Sequence, residues 1–180
     1  MRAIKNLKTN YDDKAFVAFL NELLKESDRA AVILGHAQLD ISLYRLFIKV
    51  LKPSPTTKDE LFENNGPLSS SYSKIIFAYR LGLIDTDQEK ALNLIRKIRN
   101  RFAHESLGCN LNSGANRSNI EEMSRLFHMD IKRLGESILG LDPKTNYGSL
   151  FRAVVATMEV LLETMIENMN PIYMKDKKSS

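Results

Sequence analysis

A short segment near the middle of the chain carries residue types that could act on a phosphodiester. Arg99, Asn100 and His104 fall within six residues. Histidine titrates near neutral pH and can move protons to and from the 2′-hydroxyl of RNA and the leaving oxygen. Arginine can stabilise the charge that develops on the phosphate, and asparagine can orient either group. These three are the predicted catalytic residues if the protein cleaves RNA, in a scheme that needs no metal and no cofactor.

Helix geometry limits which of these side chains can meet. Asn100 and His104 are four residues apart, so they share a helix face. Arg99 and His104 are five apart, about 140° around an ideal helix. They converge if the helix distorts or ends near Ala103, or if two chains contribute across a dimer. The alternative interpretation is a solvated basic helix end, where the helix dipole favours cations.

Three further cations flank this segment and are the predicted nucleic-acid-binding residues: Arg96, Lys97 and Arg101. They and Arg99 point to different sides of one helix, so at most two or three can contact the same nucleic-acid backbone. Binding is therefore predicted to be weak, tolerant of sequence and sensitive to salt. The net charge of +4 permits an anionic partner without requiring one.

Two other groups of polar residues are worth noting. His36 and Asp40 lie one helical turn apart, which predicts a local hydrogen-bonded pair, with a contribution to a shared pocket as the alternative. The serines at 69–71 precede a helix, where capping or anion binding would suit them. The three histidines have no histidine four residues away and no cysteine pair, so no metal site is predicted. Cys109 is the single cysteine, which excludes an intrachain disulfide.

Length and composition predict one globular domain. The chain has 180 residues, of which 43% are hydrophobic and 27% charged. We expect an N-terminal extension over 1–11, a helical domain over 12–170 and a basic tail over 171–180. The N-terminus lacks the apolar core of a signal peptide, and no run approaches the ~20 apolar residues that span a bilayer. The expected location is the cytoplasm.

Apolar residues recur with helical spacing throughout, which predicts an all-α bundle of about six helices without strands. The first predicted helix begins after Asp12. The other predicted helices cover 28–51, 69–81, 86–104, one or two short segments within 119–139, and 149–168. Gly82 is the expected stop of the third helix. Asp85, with Gln88 three residues later, predicts a capping box at the start of the fourth.

The stripes also predict which faces are buried. The second helix is predicted to be the central core helix through a stripe with spacings of three and four: Ile33, Leu34, Ala37, Ile41, Tyr44, Ile48 and Leu51. The third carries Tyr72, Ile75, Ile76 and Tyr79, and the fourth turns Ala91, Leu94, Ile95, Ile98 and Phe102 inward. A DNA-reading helix within 69–104 is not expected, because Asp85, Asp87 and Glu89 would repel a phosphate backbone.

Residues 95–105 (IRKIRNRFAHE) resemble the arginine–four residues–histidine motif of the HEPN superfamily of helical nucleotide- and RNA-associated domains. Asn100 matches the polar residue common after that arginine. Residues 20–170 resemble more closely the mannitol operon repressor (MltR-like) family. The matching segments are 27–31 (SDRAA), 66–69 (GPLS) and 79–84 (YRLGLI).

The resemblance implies a compact helical fold, a homodimer and a repressor-type regulator of a sugar-alcohol operon. A non-enzymatic regulator of gene expression, acting through protein or nucleic-acid contacts, is therefore the first hypothesis. The HEPN likeness implies metal-independent RNA cleavage in many members, with Arg99 and His104 as the matching pair. An endoribonuclease of a toxin or antiphage system is the alternative. A scaffold whose basic helix end has no specific role also remains open.

Overall fold

The computed structural model describes residues 13–105, 108–127 and 146–173. This part of the chain forms six helices and no strand, which confirms the predicted all-α class. The helices are α1 (Asp13–Lys25), α2 (Asp28–Val50), α3 (Ser71–Arg80), α4 (Thr86–His104), α5 (Gly114–Leu126) and α6 (Tyr147–Asn168). The predicted extension over 1–11, any helix over 128–139 and the tail from 174 lie outside the described residues.

Most helix boundaries follow from local capping chemistry. Ser27 accepts a hydrogen bond from the Ala30 backbone N–H at the start of α2. Asp85 and Gln88 form the predicted reciprocal capping box at the start of α4. Gly82 has the left-handed backbone, φ +70°, that ends α3. These signals act within a few residues, and the sequence alone predicted the capping box and the stop at Gly82 correctly.

The start of α5 was predicted five residues too late. The helix begins at Gly114 rather than near Asn119, and its first buried residue is the polar Asn116. The Asn116 amide donates to the Asn110 carbonyl and accepts from Arg101. Because tertiary hydrogen bonds rather than apolar contacts hold this first turn, the apolar pattern begins only at Ile120.

Helix α2 occupies the centre of the bundle and packs against α6, α4, α3 and α1. Gly35 permits the close approach of α6, since a Cβ there would lie 2.9 Å from a methyl group of Val155. By length and composition, α2 is also long and apolar enough to cross a membrane. In the structure one face of α2 forms the core of the bundle.

The prediction of which face of α2 is buried is wrong. The residues that are buried instead are Ala31, Val32, Gly35, Leu39, Ser42, Leu43, Leu46, Phe47 and Val50. Six of the seven predicted positions are exposed, with Ile41 at 50% and Ile48 at 46%, whereas Leu51 is partly buried against the core. We call the exposed row the α2 stripe; it consists of Leu34, Ala37, Ile41, Tyr44 and Ile48. Helix α2 is apolar on two faces, and periodicity alone does not show which face the other helices cover.

The predicted buried face of α3 is also partly wrong, whereas the predicted buried face of α4 is confirmed. In α3, Tyr72 and Tyr79 are exposed, and Lys74 and Ala78 are buried beside Ile75. In α4, all five residues predicted to face inward are buried. Helix α4 has one apolar face and one strongly polar face, so its orientation is unambiguous.

A buried guanidinium joins the ends of three helices. Arg152 of α6 donates from Nε to the Leu23 carbonyl and from Nη2 to the Glu26 carbonyl, both at 2.8 Å. Its Nη1 donates to Asp28 Oδ1 and to the Gly148 carbonyl, both at 2.9 Å. The side chain thereby fixes the end of α1 and the start of α2 against the first turn of α6.

A polar layer lies farther along the contact of α2 with α6. Glu159 Oε1 accepts from Gln38 Nε2 and Ser42 Oγ, each at 2.8 Å. Its Oε2 is buried and has no hydrogen-bond partner among the described residues. Burial raises the pKa of Glu159, although the two hydrogen bonds favour the carboxylate. This layer places a titratable group inside the bundle.

Replacing the buried guanidinium should destabilise the whole bundle. Arg152→Ala leaves three backbone carbonyls and Asp28 without their donor, and we expect the free energy of unfolding to fall by about 3 kcal/mol or more. Arg45→Ala is the matched control, because its ion pair with Glu163 is exposed and should be worth about 0–1 kcal/mol. Urea unfolding monitored by circular dichroism measures both. Equal losses in the two variants would contradict this role for Arg152.

Candidate functional site

An open cleft of about 500 Å³ lies where α2, the start of α3 and the middle of α4 meet. We call it the basic cleft, and its lining residues are His36, Ala37, Asp40, Ile41, Ser70, Ser71, Tyr72, Arg96, Arg99 and Asn100. Three residues predicted from the motif segment are therefore in it, namely Arg96, Arg99 and Asn100. Ala37 and Ile41 belong to the α2 stripe as well, so the two surfaces adjoin.

Helices α2 and α3 run in the same direction along one wall of the cleft and are linked at two levels. His36 Nε2 lies 3.2 Å from Ser71 Oγ. One turn farther along, Lys74 Nζ donates to Asp40 Oδ2 at 2.6 Å. The hydrogen bonds of His36 and Asp40 thus run to α3, and the predicted local pair within α2 gives way to contacts between helices. Of the two interpretations, the structure favours a shared pocket.

The two cleft arginines have no carboxylate partner in the part of the chain that the structure describes. Arg99 Nη1 donates to Asn100 Oδ1 at 3.1 Å. The Arg96 guanidinium lies over the Tyr72 ring, with 4.9 Å between Cζ and the ring centroid. An aromatic ring and a neutral amide orient these cations without neutralising them. Two positive charges therefore face the cleft.

The N-terminus of α3 contributes partial positive charge to the same cleft. Ser70 caps the helix, because its side chain accepts from the Ser73 backbone N–H at 3.0 Å. This confirms the predicted capping role of the serine run. Unpaired backbone N–H groups in a first helical turn favour an anion nearby. The arginines of α4 and the start of α3 together suit an anionic ligand.

These charges act on the histidine of the cleft. Burial lowers the pKa of His36 below its usual value of 6.5, and the positive charge of Arg99 lowers it further. Arg96 and Lys74 act in the same direction, whereas Asp40 opposes them. The neutral imidazole is therefore favoured at pH 7, and it forms a hydrogen bond with Ser71 in which either group can donate.

The structure does not bring His104 to Arg99 within one chain. His104 is the exposed last residue of α4 and lies outside the basic cleft. Arg29 donates to the carbonyls of Phe102 and Glu105, which holds the end of α4 in helical form. Arg99 and His104 therefore stay about 140° apart around α4. The histidine that lines a cleft with Arg99 is His36. A shared pocket for His36 was one of the two sequence-based interpretations, but nothing in the sequence linked His36 to Arg99, because the two lie far apart along the chain.

The other two predicted nucleic-acid-binding residues, Lys97 and Arg101, also lie outside the basic cleft. Lys97 is exposed in a second groove, of about 410 Å³, which shares Tyr72 and Arg96 with the basic cleft. Arg101 points to α5, where its Nη1 donates to Asn116 Oδ1 at 3.0 Å. Arg96 and Lys97 can therefore serve one ligand, whereas Arg101 stabilises the packing of α4 on α5.

Comparison of the chain with protein-family models, with curated proteins and with solved structures gives no match. Among the described residues, no group of three histidine, cysteine or acidic side chains lies close enough to hold a metal ion. The candidate site is therefore defined by the chemistry of the basic cleft.

Removing the charge of Arg99 should change the titration of His36. In Arg99→Gln, we expect the pKa of His36 to rise towards 6.5, because the strongest nearby positive charge is lost. Arg101→Gln is the matched control and should leave it unchanged, since Arg101 faces α5. An NMR titration of the imidazole C–H signals measures both. A pKa that is the same in wild type and Arg99→Gln would show that Arg99 does not act on this histidine.

Proposed function

We propose that this protein is a non-enzymatic regulator of gene expression that binds single-stranded RNA through the basic cleft. The observation that carries the proposal is the convergence of Arg96, Arg99 and the α3 N-terminus on one cleft with an exposed aromatic ring at its edge. The MltR-like resemblance implies a regulator of gene expression, and we infer RNA as its ligand from the basic cleft and the cytoplasm as its place of action.

The cleft offers both kinds of contact that unpaired RNA requires. Arg96 and Arg99 suit a phosphate, since guanidinium groups bind its oxygens with paired hydrogen bonds. Tyr72 is 52% exposed and has Arg96 against its ring, which leaves ring surface for a base. Stacking of a base on an aromatic ring needs a base that is not already in a duplex. Single-stranded RNA is therefore the preferred ligand.

The same geometry favours binding over cleavage. Attack by a 2′-hydroxyl needs one group to accept a proton and another to donate one. Among the described residues, His36 is the one histidine that lines the cleft, and Asp40 is bonded to Lys74. His104 lies elsewhere on α4. One chain thus presents phosphate ligands but not an evident pair of proton-transfer groups.

RNA binding should depend on the cleft arginines and not on Arg101. We expect Arg99→Gln and Arg96→Gln each to weaken binding of a fluorescent single-stranded RNA by about 10–100-fold, the range for losing a charged hydrogen bond. Each should also reduce the salt dependence by about one phosphate contact. Arg101→Gln should bind like wild type. Fluorescence anisotropy at several salt concentrations measures this, and equal affinities for all four proteins would refute the proposal.

The proposal includes a homodimer in which a second copy covers the α2 stripe. Positions 34, 37, 41, 44 and 48 alternate spacings of four and three, which is the seam with which a helix packs on an identical helix. Three of these side chains, Leu34, Ile41 and Ile48, are 46–50% exposed. The stripe adjoins the basic cleft at Ala37 and Ile41, so a second copy there would form an additional wall of the cleft.

A charge in the seam should separate the two copies. We expect wild type to be a dimer and Ile41→Asp to be a monomer by light scattering at tens of micromolar, because a buried unpaired carboxylate is costly. Leu81→Asp is the matched control, since Leu81 is equally exposed but lies outside the stripe. In a Cys109→Ser background, Ile41→Cys should form an intermolecular disulfide. A monomeric wild type, or a dimer unchanged by Ile41→Asp, would contradict this interface.

A second candidate function is metal-independent cleavage of RNA, and one observation favours it. Arg99, Asn100 and a histidine do share one cleft, although the histidine is His36 and not His104. His36 would then exchange protons with the substrate and Arg99 would stabilise the phosphate. His104 could join such a site only from a second copy.

Incubation with total RNA in EDTA separates the two candidate functions. If the cleft cleaves RNA, His36→Ala should lower the rate by about 10²–10⁴. His104→Ala should have a comparable effect only where a second copy supplies that residue. Intact RNA with wild type, together with binding by anisotropy, supports the regulator. Cleavage that survives both substitutions would exclude either histidine as the proton-transfer group.

A further inference from the structure

The donors of the basic cleft come from three helices rather than from one surface. His36 belongs to α2, Ser71 to the first turn of α3, and Arg96, Arg99 and Asn100 to α4. An internal phosphodiester has two non-bridging oxygens, and its strand continues on both sides. A terminal phosphate has three free oxygens and is attached on one side. A cleft with donors on three sides suits the terminal group better.

The charge of the cleft points to the same ligand. Asp40 Oδ2 forms an ion pair with Lys74 Nζ at 2.6 Å, so these two charges largely cancel, although Asp40 Oδ1 is buried without a hydrogen-bond partner among the described residues. Arg96 and Arg99 have no acidic partner among those residues. The start of α3 adds about half a positive charge. A phosphate monoester carries about −1.5 to −2 at pH 7, whereas a diester carries a single negative charge. Two cations and a helix N-terminus therefore match the charge of a monoester dianion more closely than that of a diester.

The surroundings of the cleft provide room for the rest of a terminal nucleotide. Ala37, Ile41 and Tyr72 form its apolar edge. Beyond Tyr72 and Arg96 lies the second groove, which carries the exposed Lys90 and Lys97 as well as Glu89 and Glu122. A strand whose terminal phosphate occupies the basic cleft can place its first base on Tyr72 and its next phosphate near Lys97.

We infer that the basic cleft recognises the terminal phosphate of an RNA strand, in preference to an internal phosphodiester. This inference rests on the proposed RNA-binding function and specifies which part of the RNA is bound. Recognition of the end by Arg96, Arg99 and the start of α3 makes the phosphorylation state of the RNA terminus the property that the regulator reads.

His36 makes this recognition dependent on pH. The charged and titratable groups around it are Asp40 on its own helix, Lys74 on α3, and Arg96 and Arg99 on α4, with Ser71 as its hydrogen-bond partner. A bound dianion offsets the positive charges that, together with burial, lower the pKa of His36. Binding then favours the imidazolium and takes up a proton, so affinity should increase as pH falls from 8 to 7, a range in which the phosphate monoester, with a second pKa of about 6, stays largely a dianion. His36→Gln should lose this pH dependence while it still binds.

The experiment compares one short single-stranded RNA with a phosphate at its 5′ end, at its 3′ end or at neither, by fluorescence anisotropy with the full chain. We expect one phosphorylated form to bind at least tenfold more tightly than the form with two hydroxyl ends. Arg99→Gln should abolish that difference, and Arg101→Gln should preserve it. Inorganic phosphate at millimolar concentration should compete with the phosphorylated RNA and shift the NMR signals of His36.

Two results would overturn the inference in distinguishable ways. Equal binding of all three RNA forms, each weakened to the same degree by Arg99→Gln, would refute recognition of the terminus and leave the proposed RNA-binding function intact. Absence of binding to every RNA form would refute the proposed function together with the inference. A preference for the phosphorylated end that persists in Arg99→Gln and in Arg96→Gln would place its recognition outside the basic cleft.

Discussion

The hydrogen bonds of one buried cation, Arg152, hold the end of α1, the start of α2 and the first turn of α6 together. Its guanidinium donates to two backbone carbonyls at the end of α1 and just after it, to the side chain of the first residue of α2, and to a carbonyl in the first turn of α6. A buried guanidinium is tolerated because each of these contacts replaces a hydrogen bond to water. With the start of α2 fixed, Arg29 can reach the end of α4 and hold α4 antiparallel to α2. The basic cleft depends on this arrangement.

Helix α2 has two different apolar faces, and the contrast between them organises the surface of the protein. One face is covered by α1, α4 and α6 and forms the core, whereas the α2 stripe is exposed. Four polar residues of α2 bond to neighbouring helices. Gln38 and Ser42 bond to Glu159 on one side, and His36 and Asp40 bond to α3 on the other. The basic cleft forms beside His36 and Asp40, so ligand binding and self-association would share residues of α2.

The segments at 27–31, 66–69 and 79–84 have clear structural roles here. Asp28 and Arg29 provide the contacts at the ends of α2, α4 and α6. A Cβ at Gly66 would lie 2.2 Å from the Glu60 carbonyl oxygen, so this loop requires glycine. Gly82 ends α3 with a positive φ, and the buried Leu83 and Ile84 follow it. These residues explain how the fold forms.

The sequence by itself determined the helical class, the capping box at Asp85, the stop at Gly82 and the buried face of α4, because each is set by contacts within a few residues. It also singled out Arg96, Arg99 and Asn100, which the structure places together in the basic cleft. The buried face of α2 and the start of α5 were decided by tertiary packing, since two apolar faces are equivalent until other helices cover one. The pairing of Arg99 with His36 rather than His104 was likewise decided by tertiary structure. Five residues of regular helix separate the motif pair by about 140°, whereas packing α4 antiparallel to α2 brings distant residues to one cleft.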